Sequence, residues 1–366
     1  MNEDYRRILI VRPSAMGDIL MASCLLSGLK HFYPRSQIDW VVEPRFFQVI
    51  EHHPALNRAI FWNKAEWSKQ FKGLQLAALW KETAALRHLL RFGPNNGAKG
   101  PYYDLVLDAQ GLLRSRILSW LTGAQRRIGL TSREPGGFLM TELVNPPHDT
   151  FMASEYLYLL AHLTATDPHH LQKAISPAVH VSQTSTRTAK DLLARHSIEN
   201  YVVILPFTTR PQKHWIQQGW GQLAEGLHNL GYRTLMLGGP MDQEKAQVIA
   251  ASSRQILNLT AAVPLSTALA LIQGASLAIG VDTGLTHAAV IANIPTVAIF
   301  GSTRPYLSAW NARLRVIYHD LACAPCKRSP TCNGGFHCMN SISVQEVLSA
   351  ALEVLQAGTR PLKSPK

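Results

Sequence analysis

An acidic residue, Asp18, lies at a turn where a strand signal gives way to a helix signal. It follows Gly17, after the apolar run 8–12 and at the start of a stretch with helical apolar spacing that reaches about residue 32. Two interpretations fit. A carboxylate in the first turn of a helix is stabilised by the helix macrodipole, by roughly 0.3–1 kcal/mol, which is a purely structural role. A carboxylate that faces a cleft can instead act as a catalytic base.

Two further polar loops follow predicted strands in the second half of the chain. The run TTRPQKHW, 208–215, comes after the apolar strand 201–207. The run DTGLTH, 282–287, comes after the strand signal 277–281 and opens a helix. In open α/β sheets, ligands bind beyond the carboxyl ends of the strands, so these loops are candidates for a binding site.

The composition of these two loops suits an anion such as a pyrophosphate. Free backbone N–H groups at a helix start bind phosphates, and Thr283 and Gly284 would allow close approach. Lys213 and Thr209 are placed to bind the same anion from the adjacent strand. The structural alternative is that Asp282 and Thr283 form a helix N-cap. Because two such loops follow neighbouring strands, the anion site is the favoured interpretation.

A third loop, 238–244, adds carboxylates that suit a ribose. Asp242 and Glu244 could accept hydrogen bonds from sugar hydroxyls, although acids at a helix N-terminus are an equally good structural explanation. The chain contains no GxxxxGK[ST] phosphate loop, no GxGxxG dinucleotide motif and no GxSxG nucleophile elbow. A nucleotide-like ligand without kinase or dehydrogenase motifs, together with a free carboxylate, indicates group transfer from a nucleotide-activated donor.

The elements that must position these residues alternate between strand-like and helical runs. The strand-like runs are apolar almost throughout, which is typical of a parallel sheet covered on both faces. They are 8–12, 38–43, 58–62, 104–111, 126–130, 201–207, 232–239, 256–260, 277–281 and 295–301. We therefore predict an α/β fold of two Rossmann-like, doubly wound domains that face each other across a cleft.

The chain length of 366 residues suits two domains of ordinary size. The polar, proline-bearing stretch 164–177 is the predicted interdomain linker. We place the first domain at 1–170 and the second at 171–342. The remaining segment, 343–366, is predicted to be a helix and tail, with the helix folding back over the first domain.

The composition predicts a cytoplasmic protein. Apolar residues make up 46% of the chain and charged residues 16%, which is typical of a globular domain. No apolar run approaches the roughly 20 residues that span a bilayer. The N-terminus carries acids where a signal peptide has a basic region. We therefore expect a protein that stays in the cytoplasm.

The net charge of +12 points to an anionic partner. The segment 58–100 holds eight basic residues and two acidic ones, mixed with tryptophan. Such a mixture suits the anionic lipid head groups of a membrane surface. A solvated helix is an equally good explanation, and no nucleic-acid-binding module is recognisable. The candidate membrane-contacting residues are Lys64, Lys69, Lys72 and Lys81, with Trp67, Phe71 and Trp80 as anchors.

Four of the five cysteines are crowded near the C-terminus. In a cytoplasmic chain, a C-x2-C-x5-C-x5-C spacing favours metal ligation over disulfides. The five-residue gaps are not those of a standard zinc module, so reduced thiols are the main alternative. The predicted ligands of a structural zinc are Cys323, Cys326, Cys332 and Cys338.

Five segments, in their order along the chain, resemble glycosyltransferase family 9, the lipopolysaccharide heptosyltransferases of Gram-negative bacteria. They are RPSAMGDIL, DLVLDAQGLLRS, TSREP, PFTTRPQKHW and GVDTGLTHAA. The resemblance covers nearly the whole chain and is greatest to the type I enzymes, which add the first heptose to the inner core. It implies a GT-B fold with an acceptor-binding and a nucleotide-sugar-binding domain. It also implies inverting transfer from ADP-L-glycero-β-D-manno-heptose to Kdo of Kdo2-lipid A.

The resemblance also implies roles for individual residues. Asp18 matches the general base, and Asp242 or Glu244 matches an acid that binds the nucleoside. The residues that match donor-binding positions are Thr208, Thr209, Lys213, Asp282, Thr283, Gly284 and His287. Lys213 and the helix start would stabilise the charge that grows on the departing ADP. Because fixed donors of this kind can replace a metal ion, we expect no metal cofactor for catalysis.

Three rival functions remain open. The enzyme could act on an already heptosylated core, as the type II enzymes do, since the cysteine-rich tail resembles one found in some of those relatives. A nucleotide-sugar 2-epimerase has the same two-domain shape but needs no second substrate. A sugar-nucleotide-binding module would bind the donor without turnover, and it would leave Asp18 and the basic segment unexplained.

Overall fold

The computed structural model describes residues 4–64, 66–67, 69, 73, 75–94, 100–326 and 329–357. The chain divides into two compact units. The first unit is Met1–Asp149 with Ala153–His180, and the second is Thr150–Met152 with Val181–Lys366. The first unit therefore extends beyond residue 170, where the sequence placed the domain boundary.

The first unit is built on a six-stranded sheet in which every neighbouring pair is parallel. Its strands are β1 (Arg7–Val11), β2 (Gln37–Val42), β3 (Leu56–Phe61), β4 (Leu105–Asp108), β5 (Arg126–Leu130) and β6 (Glu142–Val144), in the spatial order β3-β2-β1-β4-β5-β6. The central strands β1 and β4 are almost wholly buried. Their continuous apolar sequence follows from helices covering both faces of the sheet.

The helices of the first unit cover this sheet and position its loops. They are α1 (Met16–Ala22), α2 (Cys24–Phe32), α3 (Leu76–Phe92), α4 (Leu113–Leu121), α5 (Ser154–Thr164) and α6 (Pro168–Ala174). Helix α6 lies within the stretch predicted to be a linker. The carboxylate of Asp167 accepts a hydrogen bond from the His169 backbone N–H at 2.8 Å and so caps α6. Leu171 is buried, and α6 contacts α5, so this stretch belongs to the first unit.

The second unit repeats the architecture with a second six-stranded parallel sheet. Its strands are β7 (Tyr201–Leu205), β8 (Arg233–Met236), β9 (Ile256–Asn258), β10 (Leu277–Val281), β11 (Thr296–Phe300) and β12 (Leu314–Tyr318), in the order β12-β11-β10-β7-β8-β9. Its helices are α7 (Gln183–Arg195), α8 (Gln217–Asn229), α9 (Gln243–Ala251), α10 (Leu265–Gln273), α11 (Gly284–Ile291), α12 (His337–Asn340) and α13 (Val344–Ala357). Strand β12 was not among the predicted strands.

Helix α13 is a layer of the second unit. Its buried residues, among them Val347, Ala351 and Val354, are part of that unit's hydrophobic core. The helix contacts α8 and the strands β10, β11 and β12. This differs from the expectation that the helix packs on the first domain, because its apolar face fills the second core.

The strand orders determine which loops become neighbours. In the second sheet the loops that follow β11, β10, β7 and β8 leave the carboxyl edge side by side. In the first sheet β1 lies beside β4, with Val11 paired with Asp108, so the loops that follow these two strands are adjacent. Among the described residues, no helix has both the length and the apolar character required to cross a membrane.

Candidate functional site

Asp18 lies in the first turn of α1, immediately beyond the carboxyl end of β1. Its Oδ2 atom accepts a hydrogen bond from the backbone N–H of Ala15 at 3.2 Å, which satisfies one of the free amides at the helix start. The structural interpretation of Asp18 therefore holds in part. The side chain is nevertheless 38% exposed, so the carboxylate can also reach a ligand.

Arg12 forms an ion pair with Asp18. Its Nη2 lies 2.7 Å from Asp18 Oδ2, and its Nη1 donates to the backbone carbonyl of Ala109 at 2.8 Å. The arginine side chain is buried and lies over the ring of Tyr156, with 5.7 Å between the guanidinium carbon and the ring centroid. Sequence reasoning missed Arg12, although it is the last residue of the predicted strand 8–12. An arginine that ends a buried strand and precedes Asp18 was the available signal.

The DAQGLLRS and TSREP segments form one structural piece. Arg116, buried on α4, donates from Nη1 to the backbone carbonyls of Glu134 and Pro135 at 2.7 and 2.9 Å. Asp108 accepts hydrogen bonds from the backbone N–H groups of Gln110 and Gly111. Burial raises the pKa of Asp108 to about 6, against these hydrogen bonds. Arg116 therefore joins the two segments in the structure. Together they shape the loop beside Asp18.

In the second unit, a buried carboxylate joins the two predicted donor loops. Asp282 Oδ2 lies 2.5 Å from Lys213 Nζ, and Asp282 Oδ1 lies 3.3 Å from His287 Nε2. The hydroxyl of Thr303 also donates to Asp282, and the other ring nitrogen of His287 lies 2.9 Å from the Tyr306 hydroxyl. The structure thus brings together three residues that the sequence placed in one site, and it adds Thr303 and Tyr306.

The charges in this cluster are matched. Burial alone would raise the pKa of Asp282, but His287 and Lys213 outweigh burial and hold that pKa well below its usual range. Asp282 is therefore ionised at neutral pH, and its charge is compensated by its neighbours. Thr303 and Tyr306 follow β11 in the run GSTRPY. Their position after a buried strand was the signal that could have identified them.

The start of α11 is open to an anion. Thr283 occupies the N-cap position, but its side chain makes no capping hydrogen bond. The structural alternative, in which a side chain caps this helix, therefore does not describe Thr283. The first backbone N–H groups of α11 are therefore free of a side-chain cap at Gly284, where no Cβ obstructs their approach. Thr208 and Thr209 follow β7 on the neighbouring loop, with Thr209 exposed. The pairing of β7 with β10 places the two loops side by side.

The two candidate ribose-binding acids differ in their surroundings. Asp242 Oδ2 accepts a hydrogen bond from the Gly239 backbone N–H at 2.8 Å, which is the capping role that the structural alternative predicts. Glu244, in the first turn of α9, has an exposed side chain. Both lie on the loop that follows β8, next to β7 in the sheet. Glu244 is therefore the freer of the two acids for a ligand.

The basic segment is only partly arranged as a membrane surface. The ring of Trp67 packs edge-on against buried Trp62, with 5.9 Å between centroids, and contacts the hydrophobic core. Trp67 is therefore not an exposed anchor, because the core of the first unit uses its apolar surface. Lys69 and Lys81 are exposed, and Lys64 is half-buried. Lys72, and Phe71 beside it, lie outside the described residues.

The four clustered cysteines lie in one region of the second unit. Burial and then the neighbouring thiols Cys326, Cys323 and Cys332 raise the pKa of Cys338. All four are free thiols. Within the described part of the chain, no three His, Cys, Asp or Glu side chains are arranged as ligands of one metal ion. The zinc site therefore stays a prediction.

Comparison with known proteins gives the family context. The model of glycosyltransferase family 9 (heptosyltransferase) matches residues 98–337. Lipopolysaccharide heptosyltransferase 1 of Pseudomonas aeruginosa is 31% identical over 339 residues, which cover 89% of this chain and 87% of that protein. The two chains are therefore alike over almost their whole length.

Solved structures agree with the fold. A glycosyltransferase of family 9 from Veillonella parvula has a TM-score of 0.77 and 21% identity, and the match covers 98% of this chain and 99% of that one. E. coli heptosyltransferase WaaC, solved with ADP-2-deoxy-2-fluoro heptose, has a TM-score of 0.69 and 25% identity, and the match covers 95% and 99% of the two chains. These likenesses confirm the predicted GT-B class, with its two Rossmann-like sheets.

Proposed function

This chain belongs to glycosyltransferase family 9, the heptosyltransferase family, and from that premise we propose its donor, acceptor and stereochemistry. It is a glycosyltransferase of lipopolysaccharide core biosynthesis. The proposed donor is ADP-L-glycero-β-D-manno-heptose, the proposed acceptor is Kdo of Kdo2-lipid A, and the transfer inverts the anomeric configuration. The likeness to lipopolysaccharide heptosyltransferase 1 supports this choice of acceptor.

The observation that carries the proposal is the cluster of Lys213, Asp282 and His287 beside the start of α11. An ADP leaving group gains negative charge as its bond to the sugar breaks. The Lys213 ammonium and the free N–H groups at Gly284 are donors fixed in advance, which stabilise such a charge without reorganisation. Lys213, His287 and Thr303 contact both oxygen atoms of Asp282, and these contacts reduce the repulsion between its negative charge and an incoming diphosphate.

Asp18 is the proposed general base. A sugar hydroxyl is a poor nucleophile at neutral pH, so a carboxylate must take its proton while the new glycosidic bond forms. Arg12 contacts Asp18 at 2.7 Å and is itself anchored on Ala109. This ion pair keeps the carboxylate oriented. The proton passes to Asp18, the acceptor oxygen bonds to the anomeric carbon, and ADP leaves.

A transfer assay tests the proposed reaction. The purified enzyme is incubated with ADP-heptose and either Kdo2-lipid A or its heptosylated form, and the products are identified by mass spectrometry. We expect product from Kdo2-lipid A. Product from the heptosylated acceptor alone would assign the type II activity instead. Conversion of the donor without an acceptor would indicate an epimerase, and binding without turnover would indicate a binding module.

We also propose that the enzyme works at the cytoplasmic face of the inner membrane as a peripheral protein, because the proposed acceptor is a lipid. The exposed lysines Lys69 and Lys81 support contact with anionic head groups. The proposed cysteine site would hold a structural zinc outside the reaction. A metal ion would bind the thiolate forms of these cysteines, so its binding would release protons.

A further inference from the structure

We propose that the first unit docks on an anionic bilayer through an apolar face that the basic segment does not include. This face, called the α4 face below, consists of Leu113, Ile117 and Trp120 on α4 with Phe138 on the adjacent turn. The inference rests on the proposed function in one respect, since a lipid-linked acceptor requires the enzyme to reach a membrane. The surface itself is identified from burial and charge alone.

The α4 face is exposed although it is apolar. Leu113 is 36% exposed, Ile117 40%, Trp120 52% and Phe138 86%. The helical positions 113, 117 and 120 are four and three residues apart, so their side chains lie on one side of the helix. Contiguous exposed apolar surface marks interaction sites, whereas single exposed apolar residues are normal.

The polar and apolar side chains of α4 depart from the pattern of an ordinary surface helix. Such a helix turns its apolar side toward the core and its polar side toward water. In α4 the buried side instead carries Ser115, Arg116 and Ser119, together with Leu118. Arg116 needs this buried position in order to join the DAQGLLRS and TSREP segments. The outward leucine, isoleucine and tryptophan contribute nothing to that core, so the core does not explain their apolar character.

The exposed residues form a continuous surface. A Cβ built at Gly136 would lie 2.7 Å from a methyl carbon of Leu113, which shows that the turn packs directly against the start of α4. Phe138 projects from that turn, Gly137–Leu139. Leu143 is 43% exposed, and a Cβ built at Gly137 would lie 3.0 Å from one of its methyl carbons. The α4 face is therefore extended by the turn rather than interrupted by it.

Basic residues surround the α4 face. Helix α3 packs beside α4, with the Arg91 guanidinium against Gly123 at the end of α4, and α3 carries the 75%-exposed Trp80. Apart from buried Arg116, five basic and two acidic residues occur in 76–92, 113–121 and 133–139. One of these acids, Glu134, binds the start of α4, because its carboxylate accepts a hydrogen bond from the Leu113 backbone N–H at 2.9 Å. Exposed aromatic and aliphatic side chains within a basic surface match the interface of an anionic bilayer.

A second copy of this chain is the main alternative occupant. A two-fold dimer would place the same patch on both sides of the interface. The basic residues around the face would then approach their own copies, which is unfavourable, whereas anionic lipid head groups would neutralise them. Charge therefore favours the bilayer.

The test uses three variants of the full chain. Ile117→Gln with Trp120→Gln removes the helical part of the face, and Phe138→Ser removes only the turn residue, which is too exposed to affect folding. The matched control is Val248→Gln, a 56%-exposed apolar residue of α9 in the second unit. Co-sedimentation is measured with vesicles of phosphatidylglycerol and phosphatidylethanolamine, and with vesicles of phosphatidylcholine alone.

We expect the double variant to bind the anionic vesicles at least about tenfold more weakly than the parent, because apolar side chains no longer enter the interface. Phe138→Ser should weaken binding to a smaller extent, and Val248→Gln should bind as the parent does. Binding of the double variant equal to that of the parent would overturn the proposal. The proposal would also be overturned if neither protein bound vesicles and sedimentation equilibrium showed dimers of the parent but not of the double variant.

Transfer to a delipidated, soluble acceptor separates this proposal from the proposed function. The double variant should use that acceptor as well as the parent does. If the parent binds vesicles through the α4 face but transfers no heptose, the proposed reaction fails and the docking surface stands. If the parent transfers heptose and the variants bind vesicles normally, the docking proposal fails alone.

Discussion

Replacing Asp282 by Asn should destabilise the protein through the charge that it leaves behind. Asp282 contacts Lys213 Nζ at 2.5 Å and His287 Nε2 at 3.3 Å. Asparagine keeps the shape of the side chain but carries no charge. The mostly buried ammonium of Lys213 would then lack its counter-charge. Removing one partner of a buried ion pair costs about 3–5 kcal/mol of the free energy of unfolding.

A surface pair on the same unit provides the matched control. Arg315 Nε lies 3.6 Å from Glu353 Oε2, and both side chains are more than half exposed, at 57% and 61%. Exposed pairs of this kind contribute at most about 1 kcal/mol, because water screens both charges. Glu353→Gln should therefore change the free energy of unfolding by far less than Asp282→Asn, although each variant removes one carboxylate.

The effect of Asp282→Asn should depend on pH in a defined direction. Burial opposes ionisation, but His287 and Lys213 hold the pKa of Asp282 below its usual range. The folded protein therefore binds fewer protons at this site than the unfolded chain does in the pH range between the two pKa values. The stabilisation is complete above the unfolded pKa of about 3.9 and is lost as the pH falls from there through the folded pKa. The difference between parent and variant should shrink in that range.

Urea denaturation followed by tryptophan fluorescence measures these differences. Parent, Asp282→Asn and Glu353→Gln are compared at neutral pH and at several values below about pH 4. A cost of Asp282→Asn under about 1 kcal/mol at neutral pH would show that the pair behaves as a surface pair. A large cost that stays constant on acidification would show that it does not arise from the charge of Asp282.

Four further expectations follow from the site and its surroundings. Asp18→Asn should lower kcat by about 10²–10⁴-fold with donor affinity nearly unchanged, since the amide cannot accept the proton; wild-type turnover would remove Asp18 from the mechanism. Lys213→Ala should weaken ADP binding, measured by calorimetry, and should slow transfer, because the leaving group loses a cation; if both survive, the anion site lies elsewhere. Changing the four lysines Lys64, Lys69, Lys72 and Lys81 to glutamine should weaken salt-sensitive binding to anionic vesicles and raise the apparent KM for the membrane-embedded acceptor. Equal binding by variant and parent would show that the segment is a solvated helix. Purified protein should contain about one zinc per chain, measured by elemental analysis, and a chelator should lower Tm without blocking the chemistry. Metal-free protein that is equally stable and active would favour reduced thiols at Cys323, Cys326, Cys332 and Cys338.

Sequence periodicity was sufficient to predict the two-sheet architecture. Apolar runs such as those of β7 and β10 are buried on both sides, and burial of that kind requires a covered parallel sheet. The structure brings together two polar loops that follow such strands, since Lys213 contacts Asp282. The domain limits were less accurate, because the proline-bearing stretch that suggested a linker contains Leu171, which helix α6 buries.

The partners that some site residues contact could not be predicted from local sequence. Thr303 and Tyr306 reach Asp282 and His287 only because β11 lies beside β10 in the sheet. Arg12 was overlooked because its position at the end of a buried strand does not reveal which carboxylate its guanidinium contacts. Contacts of this type depend on strand order, which many distant parts of the chain determine together.

The sequence by itself determined most of the alternation of strands and helices, though not β6, β12 or α6, and the family to which the chain belongs. Only the tertiary structure decided which side of each helix meets the core. Trp67, predicted to be an exposed anchor, packs against Trp62, whereas Ile117 and Trp120 face solvent. The reason is physical. Periodicity shows which side chains share a face, but the direction of that face depends on packing against elements far away in the chain.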